Sequence, residues 1–177
     1  MDKKELRKKI RELKRAMTEE QIVSASQRLG ELFLASDYYK NAKTIYGYLP
    51  YNQEVRTVPM LEQALKDGKR VAVPKCYGDE MRFIYMDDLS LVENGYANIP
   101  EPVADDPVAE DKTALVLMPG MAFTKNGDRM GYGGGFYDKF LAAEPNHPTV
   151  ALCYAFQMVE DLPTEDYDIP VDCVLWA

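Results

Sequence analysis

The chain has 177 residues, 46% of them hydrophobic and 28% charged, with a formal net charge of −8. That length holds one domain with a real hydrophobic core, and the ordinary composition excludes a disordered, collagen-like or coiled-coil chain. No apolar run approaches the ~20 residues of a membrane span, and the acidic balance argues against a general nucleic-acid binder.

In chain order, the first element is a basic helix. Residues 1–15 hold eight basic and three acidic side chains, whereas the rest holds thirteen and twenty-six. Leu6, Ile10, Leu13 and Met17 recur at helical spacing, which predicts a helix over 3–16 with one apolar stripe. Thr18 and Gln21 match a capping box that opens a second helix, fading near Ser36–Asp37. TIYGYL (44–49) predicts a strand stopping at Pro50. Residues 57–67 predict a helix ended by Gly68. Arg70–Val73 predicts a short strand ended by Pro74, and 81–86 another. The stretch 87–112 is rich in Asn-Gly and X-Pro pairs and predicts loop. ALVLM (114–118) is the most apolar strand. A helix from 136 to 143 and strands at 150–154 and 171–176 follow. Short apolar strands alternating with helices predict one α/β domain over 1–177, a three-layer α/β/α sandwich with a mainly parallel sheet.

Cys76, Cys153 and Cys173 form no CxxC pair, the usage of reduced thiols in a cytoplasmic protein. His147 is the only histidine, so a zinc site is not expected; it reads as a loop residue between Pro145 and Pro148. The segment MDKKELRKKI lacks the apolar core of a signal peptide.

Chemistry concentrates after the strand ALVLM. There Arg129 precedes Gly131, Gly133, Gly134 and Gly135, with Asp138 just beyond. Glycines let backbone N–H groups approach an anion, and a following helix start adds a favourable dipole. Arg129 offers a charge-assisted contact, and Asp138 is a hard oxygen ligand suited to Mg²⁺. No Gly-Lys-Ser/Thr tripeptide follows, and Phe136 stands where G-x-G-x-x-G needs its last glycine, so neither standard nucleotide motif fits. A ligand-free turning loop is the alternative. Lys3, Lys4 and Arg7 share a helix face and reach one anion together, or the face is merely solvated.

These residues carry a resemblance to the 5-formyltetrahydrofolate cyclo-ligase family. It rests on KKELRKKIRELKRAM with Thr18 following, YLPYNQEVRT, NIPEP, MPGMAFTKNGDRMGYGGGFYDKFL and VDCVLW, in the family's order. The resemblance implies a NagB/RpiA/CoA-transferase-like fold. It implies conversion of 5-formyltetrahydrofolate and ATP to 5,10-methenyltetrahydrofolate, ADP and phosphate with Mg²⁺. The formyl oxygen would attack the γ-phosphate, and N10 would close the ring. It also implies ATP contacts from Lys3, Lys4, Glu5, Leu6 and Arg7, and from Arg129, Met130, Gly131, Tyr132, Gly133, Gly134, Gly135, Phe136 and Tyr137. Leu49 and Glu54 match folate-contacting positions, shared with Tyr132 through Phe136. Without the resemblance, Glu54 reads as a surface carboxylate. Arg129, Tyr132, Gly133 and Asp138 are the implied catalytic group, and Asp138 and Asp172 the implied Mg²⁺ ligands. Tyr46, Tyr48, Tyr51 and Tyr85 are candidates to flank a pterin, and Lys125 and Arg82 to meet its glutamate tail. Met130 and Phe136 stand where Leu and Tyr are common in the family. The expected protein is a cytoplasmic monomer acting on small molecules, with no nucleic-acid or membrane partner. Two other classes remain at this point: a sugar-phosphate isomerase or acyl-CoA transferase-like enzyme, and a non-catalytic folate- or nucleotide-binding module.

Overall fold

A computed structural model describes residues 1–177. Helix α1 (Lys3–Arg15) opens with a capping box between Asp2 and Glu5, and α2 (Glu19–Ala35) with one between Thr18 and Gln21. The Ser36 hydroxyl accepts the Tyr39 N–H and starts a short helix α3 (Asp37–Asn41), so the chain re-caps where a fade was expected. Strand β1 (Thr44–Tyr46), helix α4 (Val58–Lys66), and strands β2 (Arg70–Tyr77) and β3 (Glu80–Tyr85) follow. Strand β4 (Val92–Asn94) and β5 (Pro100–Pro102) form a small ribbon inside the stretch expected to be loop. Then come β6 (Leu115–Met118), the hairpin β7 (Ala122–Phe123) and β8 (Arg129–Met130), α5 (Phe136–Ala143), β9 (Thr149–Cys153) and β10 (Cys173–Trp176).

The central sheet has the order β10-β9-β6-β1-β2-β3. Every pairing is parallel except β2 with β3. Pro74 does not end β2. Strand β1 pairs only with Arg70–Ala72, so at Pro74 no neighbour on that side needs an N–H, and β2 runs on as a hairpin with β3.

Successive strand residues face opposite sides. Ile45, Val71, Leu115, Leu117, Val150 and Leu152 pack under α2, α3 and α4 against Leu29, Phe33 and Leu61. Tyr46, Ala72, Val116, Met118 and Ala151 face the other layer with Phe83 and Leu141 of α5. Each fully buried aliphatic side chain here contributes roughly 1.5–3 kcal/mol. The expected three-layer α/β/α architecture is therefore present. Helix α1 docks separately: Leu6 and Ile10 pack on Met121, Ala122 and Met130. That small cluster fastens a cationic helix beside the β7–β8 hairpin. No helix is long and apolar enough to cross a membrane.

Candidate active site

In open α/β sheets the carboxyl ends of the parallel strands frame the ligand crevice. Here the chain leaves β6 through Pro119–Met121, turns through the hairpin, and enters the glycine loop and α5. A cleft of about 630 Å³ lies at this end of the sheet.

The hairpin aims Arg129 into the cleft wall. Its side chain is only 5% exposed. It donates to the Pro119 carbonyl at 2.9 Å and lies 3.8 Å from Asp138. Burial pulls its pKa down while the Asp138 charge opposes this; a guanidinium stays charged regardless. Arg129 Nε is buried with no partner. An unsatisfied buried donor costs about 1–3 kcal/mol, so this site keeps unused donor capacity. Gly135 caps α5 at φ 70° without any side-chain cap, leaving first-turn N–H groups for a ligand. A Cβ on Gly131 would stand 2.9 Å from Arg129 Nη1, so glycine there admits the guanidinium.

Helix α1 forms the facing wall. Lys3, Arg7, Arg11, Lys14 and Arg15 line the cleft, and Arg7 Nε donates to the Gly131 carbonyl at 3.2 Å. Lys3 lies 4.0 Å from Asp168, a second cleft carboxylate. The remaining residues expected to meet ATP have other duties. Lys4 is exposed outside the cleft, Glu5 closes the capping box, and Leu6 docks the helix.

Leu49 and Glu54 both line the cleft. One Glu54 oxygen accepts the Tyr51 backbone N–H at 2.7 Å, and the other accepts the Tyr132 hydroxyl at 2.8 Å. Lys14 Nζ donates to that same hydroxyl at 3.5 Å. Burial raises the Glu54 pKa, against the Tyr132 hydrogen bond and the Lys14 charge. Burial also lowers Lys14 and raises Tyr132 well above the usual phenol value. Tyr132 is 48% exposed along its ring, while its hydroxyl is enclosed between Glu54 and Lys14.

Of the four tyrosines considered for a pterin, Tyr48 and Tyr51 line the cleft. Tyr46 does not: its ring is buried under the sheet, stacked on Phe83 at 4.4 Å. Tyr85 lies under the Arg70 guanidinium at 3.4 Å. Neither Lys125 nor Arg82 lines the cleft; Arg82 pairs with Glu80 at 3.3 Å and covers Tyr77. The ribbon β4–β5, absent from the sequence reading, brings Tyr96 edge-on to Phe136 at 5.3 Å. Lys14 and Arg11 were also missed, although both continue the Lys3–Arg7 helical face.

The two aspartates separate. Asp138 lines the cleft with its side chain 24% exposed, one oxygen accepting the Ile169 N–H at 3.3 Å. Asp172 is outside the cleft. It accepts the Thr149 N–H at 2.9 Å and hydroxyl at 3.3 Å, at the amino ends of β9 and β10. The expected aspartate pair is thus not brought together, because Asp138 sits in the first turn of α5 beside the cleft whereas Asp172 precedes β10 at the amino ends of the strands. No group of three or more His, Cys, Asp or Glu is disposed to hold a metal. The donor set at Asp138 fits Mg²⁺ in its usual form, one carboxylate completed by substrate phosphate oxygens and water.

Known proteins agree with this architecture. The chain is 33% identical to the 5-formyltetrahydrofolate cyclo-ligase of Escherichia coli strain K12, over 94% of this chain and 95% of that one. It is 28% identical to the enzyme of that name from Mus musculus, over 98% and 93%. It superimposes on the 5,10-methenyltetrahydrofolate synthetase of Aquifex aeolicus with a TM-score of 0.86 at 30% identity, covering 99% of this chain and 90% of that one. For the synthetase from Mycoplasma pneumoniae the TM-score is 0.78 at 25% identity, covering 98% of each. The profile of the 5-formyltetrahydrofolate cyclo-ligase family matches residues 1–177, and the chain belongs to that family.

Proposed function

We propose that this chain, as a single cyclo-ligase domain over 1–177, converts 5-formyltetrahydrofolate to 5,10-methenyltetrahydrofolate with MgATP. The observation that carries this reading is the double duty of Tyr132. Its backbone belongs to the glycine loop, and its hydroxyl bonds Glu54. A phosphate cradle and a carboxylate suited to a pterin edge thereby share one cleft.

In this reading the formyl oxygen attacks the γ-phosphorus, and the bond from that phosphorus to the bridging oxygen breaks, releasing ADP. N10 of the N5-iminium phosphate attacks the activated carbon and gives up its proton. The carbon–oxygen bond then breaks, and phosphate leaves with the former formyl oxygen. The protein's share is positioning and charge stabilisation. Arg129, Lys3 and Arg7 neutralise phosphate oxygens. N–H groups from Gly131 to Tyr137 cradle them, with Met130 and Phe136 packing the loop. Leu49 and Glu54 hold the folate ring, and Tyr132 and Gly133 stand between the two substrates. Asp138 would hold Mg²⁺ with phosphate oxygens of ATP, and the ion supplies further charge neutralisation there. Lys4, Glu5 and Leu6 serve by presenting the cationic helix. Three free thiols suit a cytoplasmic protein, and the reading takes it as a monomer.

The test mixes protein, 5-formyltetrahydrofolate and MgATP and follows near-UV absorbance. Formation of the methenyl chromophore, dependent on both ATP and Mg²⁺, is expected. A folded protein that forms none contradicts the reading.

A further inference from the structure

Helix α1 buries Leu6, Ile10 and Lys14, spaced i, i+4, i+8. Leu13, which the apolar stripe placed inside, is 38% exposed. A lysine thus occupies a core-facing position and is left 7% exposed. Burying an ammonium costs free energy unless a partner compensates. No carboxylate lies within 4.0 Å of Lys14; its partner is the Tyr132 hydroxyl.

Lysine has only donors. The Tyr132 oxygen therefore accepts from Lys14, and its single O–H is directed to Glu54. With Tyr51 N–H on the other oxygen, Glu54 receives one bond on each oxygen and keeps lone pairs for a ligand. A pteridine edge offers two adjacent N–H donors, which an ionised carboxylate accepts together, whereas a protonated one turns one of its oxygens into a donor.

We propose that Lys14 is a further positioning residue of the folate half of the cleft, acting through Tyr132 to hold Glu54 as a carboxylate facing the pteridine N–H donors. This rests on the reading of the cleft as a folate site. The other groups around Glu54 do not replace Lys14. Tyr48 and Tyr137 are pushed well above the usual phenol pKa, and Tyr154 is pushed up to about 12, so these phenols stay neutral. Cys153 beside Lys14 is likewise pushed up to about 12. Arg56 also favours the Glu54 carboxylate, but less than Lys14, and its own bonds go to the Asn52 and Glu54 carbonyls and to Glu19. Arg11 and Arg15 line the cleft from exposed positions, and Arg129 is tied to Pro119 and Asp138.

The test compares wild type with Lys14→Met and Lys14→Arg. It measures Kd for 5-formyltetrahydrofolate and for ATP across pH, with the Glu54 carboxyl titrated by ¹³C NMR. Lys14→Met should move the Glu54 titration up by about one unit. It should weaken folate binding about tenfold on the acidic side, with ATP binding within about twofold of wild type. Lys14→Arg should recover most of both effects. If Lys14→Met fails to fold, Tyr132→Phe interrupts the same relay and should shift both readouts the same way. An unmoved Glu54 titration, or unaltered folate binding, overturns the proposal. These readouts need no turnover. Wild type that binds folate through this relay yet forms no methenyl product refutes the cyclo-ligase reading and leaves the relay standing.

Discussion

The two ends of the parallel sheet treat their polar residues in opposite ways. At the amino ends, bonding is closed around His147 and Asp172, although the Tyr46 hydroxyl beside His147 has no partner. His147 Nδ1 meets the Ala114 carbonyl at 2.8 Å and its Nε2 meets Glu144 at 2.9 Å, while Asp172 and Thr149 bond one another reciprocally. At the carboxyl ends, bonding is open. Arg129 Nε has no partner, Lys14 has one long bond to a phenol, and α5 begins with no side-chain cap. Satisfied groups hold the fold together. The open groups at the carboxyl ends line the cleft, where the proposed ligands would complete their bonding.

The contrast is broken most severely at Arg129. Arg129→Ala should cut kcat/KM for ATP by about 10² or more, the loss typical of a preorganised charge stabiliser. Steady-state kinetics on a variant with unchanged circular dichroism checks this, and unaltered ATP kinetics would detach Arg129 from the triphosphate. Next is Glu54→Gln, which should lower kcat/KM for folate about tenfold or more while sparing ATP. Its pH dependence has a definite sign. Burial raises the Glu54 pKa, so it protonates at a higher pH than an exposed glutamate. Folate affinity is therefore full above that raised pKa and lost as pH falls through it. Glu54→Gln should abolish this limb of the profile.

Two aspartates sharpen the comparison. Asp138→Asn should raise the Mg²⁺ concentration needed for half-maximal turnover by about tenfold, read by Mg²⁺ titration at fixed ATP. Asp172→Ala has the smallest expected effect on activity. It should leave the Mg²⁺ requirement within about twofold but cost about 1–3 kcal/mol of stability by stranding the Thr149 N–H, read by denaturant unfolding. A large Mg²⁺ effect at Asp172 would erase the distinction between the two ends.

Local signals were legible in the sequence where the physics is local. The capping box at Thr18, the Gly68 stop and the apolar run before Pro119 each specify structure through neighbours a few residues away. The glycine cluster with Arg129 and Asp138 was legible for the same reason. What escaped depends on distant partners. Pro74 stays in a strand because β1 ends early, and Pro100–Pro102 joins a ribbon because Val92–Asn94 lies opposite. Lys14 reads as one more exposed cation until Tyr132, 118 positions away, is folded against it. Asp172 reads as a metal ligand until strand direction carries it to the other end of the sheet.

In the proposed reaction this cleft transfers the γ-phosphoryl group onto the formyl oxygen. Labelling that oxygen of 5-formyltetrahydrofolate with ¹⁸O and analysing the released phosphate by mass spectrometry tests it directly. One ¹⁸O atom is expected in each phosphate formed with the methenyl product; unlabelled phosphate would rule this transfer out.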